Sequence, residues 1–159
     1  MESLNEYMEH QYQWVKHSRK KLFDYCSTFV TEDFVKPISF FGNGGSVRSL
    51  LVHVVNTYKA WIVCRGMALN TDFLKEEVVS SMKDVIPIYL DIDVHVDAFI
   101  KNSRQKKLDV TFMRNGRLCT LSPFHLFSHV ITHEFHHKGQ ILSISRCLGY
   151  QPIDTDIIS

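Results

Sequence analysis

Over residues 4 to about 34, apolar positions recur three and four apart, Trp14, Leu22, Tyr25 and Phe29 among them, with no proline or glycine in the run. That period predicts a first long helix. Pro37 and the stretch Phe41-Gly42-Asn43-Gly44-Gly45 break it. Ser46 is placed to cap a second helix, because its hydroxyl can accept an orphan backbone N–H of the first turn. Val47, Leu50, Val54, Tyr58 and Trp61 carry that helix's apolar face as far as Arg65-Gly66. Residues 67–87 are irregular, with room for one short helical turn. Asp91 to Asp97 alternates polar and apolar as a strand would, but Ile88, Ile92, Val96, Phe99 and Ile100 keep the helical spacing for longer, so we read a third helix. Its basic end, Arg104-Gln105-Lys106-Lys107, suits the negative pole of a helix. Residues 108–112 and 117–121 flank Asn115-Gly116, the pair that best tolerates the two positive φ angles of a type I′ hairpin turn. Ser122-Pro123 then opens a last helix that runs to Leu148 and stops at Gly149. The pattern is mainly all-α: an up-and-down four-helix bundle with a small β-hairpin before the last helix, forming a single domain over residues 1–159.

Composition narrows the function classes. Lysine and arginine total 18 against 17 acidic residues, and a net charge of +1 gives no field suited to seizing nucleic acid or an anionic membrane. No apolar run is long enough to span a bilayer, and the polar start lacks the apolar core of a secretory signal. Cys26, Cys64, Cys119 and Cys147 are scattered without a CxxC pair, which fits free thiols in a cytoplasmic protein. Cys64 and Cys147 read as small core residues.

Nine histidines stand out, five of them between His125 and His137. At about 100° per residue, His137 lies about 40° from His133, in the sector of Leu126, Val130, Ile141, Ile144 and Leu148. Two histidines four apart on one helix face can share a metal ion. His125, His129 and His136 drift toward the polar border and are second choices. A third ligand must come from another helix; His53, at the margin of the second helix's apolar face, is the best candidate, with His10, His17 and His95 as rivals. The segment His133-Glu134-Phe135-His136-His137 also matches the HExxH form of zinc peptidases. No glutamate follows Glu134, and Gln140 and Ser143 stand where the extended pattern needs glycine and histidine, which argues against a peptidase. Glu134 is expected to orient a ligand histidine or to end in solvent. Arg48, Lys59, Arg65 and Lys138 read as solvated surface charges.

The segment from Ser128 to Ile141, with His129, His133, His137, Lys138, Gly139 and Gln140, resembles the HxxxHxxxHRGQ pattern closing the DinB/YfiT-like metal-binding four-helix bundles. The stretch Gly45-Ser46-Val47-Arg48-Ser49-Leu50-Leu51-Val52-His53, followed by Trp61, is similar to that family's second-helix motif, and Gly149-Tyr150-Gln151-Pro152 to its ending. Lys138 departs from the usual arginine, keeping the charge without the planar fork. The resemblance implies a metal triad of His53, His133 and His137, a divalent cofactor, zinc or nickel, and a homodimer. It further implies a metal-dependent thiol S-transferase that joins a low-molecular-weight thiol to a small electrophile. The alternatives are a hydrolase on the same triad and a non-catalytic metal- or ligand-binding stress-response protein. Three neutral imidazoles leave a divalent ion at least one open position, the arrangement of a catalytic site rather than a closed structural one.

Overall fold

A computed structural model of the chain describes residues 3–39, 45–105 and 109–158. The glycine-rich break at residues 41–44, Lys106-Lys107 at the predicted basic helix end and Leu108 lie outside the described residues. Among the described residues, five α-helices, α1 (Leu4–Cys26), α2 (Thr31–Val35), α3 (Val47–Tyr58), α4 (Met82–Gln105) and α5 (Pro123–Cys147), accompany one antiparallel hairpin, β1 (Val110–Arg114) and β2 (Arg117–Leu121). A π-helix, Lys59–Gly66, continues α3, and a single 3₁₀ turn, Glu76–Val78, stands in the irregular stretch.

Local chemistry sets most boundaries. Ser3 and Ser46 each form reciprocal capping boxes at the starts of α1 and α3, and the Ser122 hydroxyl accepts from the His125 N–H at the start of α5. Asn115 and Gly116 have φ of 50° and 74°, as the hairpin turn demands, and Gly149 ends α5 at φ 92°. The alternating stretch Asp91 to Asp97 is helical, because Ile92, Val96 and Ile100 all reach the core.

Two boundaries differ from the sequence pattern. The first helix stops at Cys26 instead of running to Phe34, since the Ser27 and Thr28 hydroxyls donate to the carbonyls of Phe23 and Tyr25 and the chain turns extended at Val30 before α2. The third begins at Met82, ahead of Pro87, which sits inside α4 with its ring exposed to solvent.

The four long helices form the bundle. α1 packs on α4 and α5, and α3 packs on the same two, so α1 and α3 stand across the core from one another. Aromatics fill much of that core: Tyr12, Phe23, Tyr58, Tyr89, Phe99 and Phe127 are all buried. Trp14, by contrast, faces outward, 52% exposed. The α3/α5 seam and the π-helix beyond it position the candidate site.

Candidate metal centre

His53 stands midway along α3, and His133 and His137 stand one turn apart on α5. Packing of α3 on α5 turns the three rings together. His133 Nε2 is 3.2 Å from His53 Nε2 and 3.2 Å from His137 Nε2, and one nitrogen from each ring lies within 4.8 Å of both others. Imidazole nitrogens bound tetrahedrally at about 2.05 Å from one ion stand about 3.3 Å apart, and the two 3.2 Å separations about His133 match that spacing. His53 is exposed, His133 half-buried and His137 buried, which opens the site on one side.

Proton bookkeeping supports the same reading. His137 Nδ1 lies 2.6 Å from Gln140 Oε1, so it donates there and its Nε2 lone pair points at the other rings. His133 Nδ1 is buried without a protein partner, leaving Nε2 as its one atom held among potential ligands. Burial first, then repulsion from His137 and His53, pushes His133 down to about 4. Burial and the neighbouring His53 and His136 also lower His137, against the opposing Gln140 hydrogen bond. Burial thus favours the neutral form of His133 and His137 at physiological pH, as metal ligation requires.

Glu134 takes no part in this centre. It is buried, with Oε1 accepting from Arg19 Nε at 2.7 Å and Oε2 from Arg19 Nη2 at 2.9 Å and from the Tyr58 hydroxyl at 2.6 Å. Arg19 also pairs with Asp93 at 2.5 Å, and Tyr12 donates to the same carboxylate. Burial alone would favour the neutral form of Arg19, but the Glu134 carboxylate and its hydrogen bond, with the Tyr12 and Tyr58 oxygens, together outweigh it and hold the guanidinium firmly charged. Glu134 thus neither orients a ligand histidine nor ends in solvent; it closes an ion pair joining α1 to α5. Lys138 is not a surface charge either: its ammonium is buried, donates to Ser18 Oγ and to the Thr155 carbonyl at 3.1 Å, and burial lowers it to about 8.

The remaining sequence candidates fall outside the triad. His129 is next to it, its ring 5.8 Å from His133 and 4.9 Å from Trp61, while His125 and His136 are exposed. His10 and His17 lie on α1 and His95 on α4, and none joins the cluster. Cys64 is half-buried and Cys147 exposed; Cys26 is the buried thiol, pushed up to about 12 by desolvation. Arg65 stacks on Trp61 instead of extending into solvent.

Fold and cluster together define a helical bundle with an open three-histidine centre that could hold a divalent metal. The DinB family matches residues 1–159, and the chain belongs to that family. Among solved structures, a crystal structure of a DinB-like protein from Bacillus cereus ATCC 10987 is similar in fold, with a TM-score of 0.67 at 16% identity over 92% of this chain and 94% of that one. Comparison with curated proteins gave no match. Among the described residues, no helix is long and apolar enough to cross a membrane.

Proposed function

We propose that the chain is a metal-dependent S-transferase of the DinB family, with zinc or nickel held by His53, His133 and His137 and a low-molecular-weight thiol joined to a small electrophile at the open side. The observation that carries this reading is the convergence of one ring nitrogen each from His53, His133 and His137 within 4.8 Å of one another, open to solvent at His53. A divalent ion there lowers the pKa of a bound thiol and so supplies a nucleophile at neutral pH.

The protein's own residues do the rest. Gln140 keeps the His137 proton on Nδ1, so that Nε2 faces the ion. Trp61 and His129 wall one side of the triad and shield a reacting sulfur from water. For the hydrolase alternative on the same triad, Glu134 is not available as a general base, being paired with Arg19 and Tyr58. Four unpaired thiols fit a reducing, cytoplasmic setting. We also propose a homodimer.

Metal content and turnover test the reading together. Protein purified without chelators should carry one zinc or nickel per chain, and His53→Ala should lose most of it. Metal-loaded protein should consume a thiol with an electrophile such as 1-chloro-2,4-dinitrobenzene, and chelation should abolish that. Wild-type protein that takes up neither metal, or His53→Ala that binds as tightly, would overturn the triad. Full metal occupancy without turnover over a panel of thiols and electrophiles would favour the non-catalytic alternative.

A further inference from the structure

Beside the triad lies a group of side chains that metal binding does not use. The π-helix sets Trp61 and Arg65 on one side, and strand alternation puts Val110, Phe112 and Arg114 of β1 on the same face of the hairpin. Trp61 meets Phe112 edge-on at 5.4 Å. The Arg65 guanidinium lies over Trp61 at 4.5 Å and over Phe112 at 5.3 Å, and Arg114 lies over Trp61 at 5.6 Å. Trp61 in turn contacts His129, whose ring neighbours His133.

Two cations on one indole repel each other, and a divalent ion in the triad adds to the positive potential. Among the described residues, no carboxylate lies within ion-pair distance of Arg65 or Arg114. Arg65 gives one N–H to the Ala60 carbonyl at 2.7 Å, which fixes the plane of its fork and leaves its other donors free. Packed beside Trp61 and Phe112, the Arg65 guanidinium keeps donors for an incoming anion, and a guanidinium matches a carboxylate in two parallel hydrogen bonds. Two guanidiniums two ring contacts from the triad, with Asp109 lining the cavity beside Arg65 but beyond ion-pair distance, are complementary to a substrate whose anionic group is several bonds from its reacting atom.

We propose that Arg65 and Arg114, packed beside Trp61, form the subsite that takes the carboxylate of an anionic substrate, setting its reactive end at the triad. This rests on the metal-centre reading above and adds its substrate class: a thiol that carries a carboxylate at the far end of a short chain.

Two measurements separate this inference from the reading beneath it. First, cobalt(II)-loaded protein is titrated with 6-mercaptohexanoate and with the neutral 6-mercaptohexan-1-ol, read from the visible cobalt bands. The wild type should prefer the carboxylate by about tenfold, the worth of one charge-assisted pair. Arg114→Gln, at an exposed strand end, should reduce that preference below about threefold and Arg114→Glu should remove it, both with cobalt content unchanged. Equal wild-type affinities, or a preference that survives both Arg114→Gln and Arg65→Gln, would overturn the anion subsite while leaving the metal centre intact. Second, in metal-free protein carrying Trp14→Phe, the Trp61 indole N–H signal should shift with hexanoate but not with hexanol, and Arg114→Gln should suppress the shift. Absence of that shift in the parent overturns the subsite. Failure to load cobalt counts against the metal reading alone, and this second measurement still decides the subsite.

Discussion

Single residues carry the largest energetic commitments, and two of these separate structure from chemistry inside the HExxH match. Glu134 belongs to the buried pair with Arg19, so Glu134→Gln leaves a guanidinium in the core with Asp93 as its remaining carboxylate partner. Removing one partner of a buried pair typically costs about 3 kcal/mol, and urea denaturation of the variant should show a loss of that order, with metal content preserved. Lost metal with unchanged stability would return Glu134 to the metal centre. His133 makes the complementary prediction. The unfolded chain protonates it near pH 6.5 and the folded, metal-free chain near 4, so its contribution is fully present above about 6.5 and is lost as pH falls toward 4. The urea midpoint of chelated protein should therefore fall between pH 7 and pH 5, and His133→Asn should flatten that dependence. An identical pH slope in the variant would refute the assignment. The sequence disclosed His133 and His137 because both fall on an apolar stripe. It concealed the roles of Glu134 and Lys138, which share the interior ladder of Phe127, Ile131, Ile141 and Ser145, because their partners Arg19, Ser18 and Thr155 are distant in the chain. Charges standing on an apolar ladder, Arg19 between Val15 and Leu22 included, were the available signal.

Elements were legible where their causes are local. Capping serines, the Asn115-Gly116 turn and the Gly149 stop each act within a few residues, and all stand where the pattern puts them. The π-helix and the start of α4 ahead of Pro87 depend on what packs against them, and no short window contains that information, whereas the split of α1 from α2 has a local cause in the Ser27 and Thr28 hydroxyls that the apolar period alone does not register. Gly66 shows how a distant contact fixes an element. A Cβ there would stand 2.6 Å from the Phe99 ring and 3.3 Å from the Trp61 carbonyl, so the end of the π-helix approaches α4 more closely than any side chain allows. Alanine gains up to about 1 kcal/mol of helix propensity over glycine, but forcing a buried ring aside typically costs about 1–3 kcal/mol. Overlap should win: Gly66→Ala should lower the urea midpoint and displace the Trp61 indole N–H signal. A stabilised variant with an unmoved Trp61 would show that Phe99 yields freely and that the π-helix is not held by this contact.

At the scale of the whole molecule, the bundle fills its core with aromatics but leaves an apolar face of α4 exposed. Ile86, Leu90 and Val94, four apart on α4, are 40%, 60% and 66% exposed, a stripe that a helix in an isolated bundle would normally turn inward. Asp91 and Asp97 of α4 lie near it, and Lys16 and Lys20 of α1 line the adjoining groove with Ile86 and Leu90. Lys16 and Lys20 already pair with Asp97 and Asp24 of the same chain, so it is the apolar stripe itself that a second copy would cover about a twofold axis running along α4. The homodimer therefore has a definite expected consequence. Sedimentation at micromolar concentration should give twice the chain mass, and Leu90→Glu, which places a charge at the centre of the stripe on an already exposed position, should give the single-chain mass with its fold and metal content intact. A wild-type monomer throughout that range would refute the dimer. A Leu90→Glu variant that stays dimeric would move the interface to another face, with the outward Tyr7 and Trp14 of α1 as the next surface to substitute.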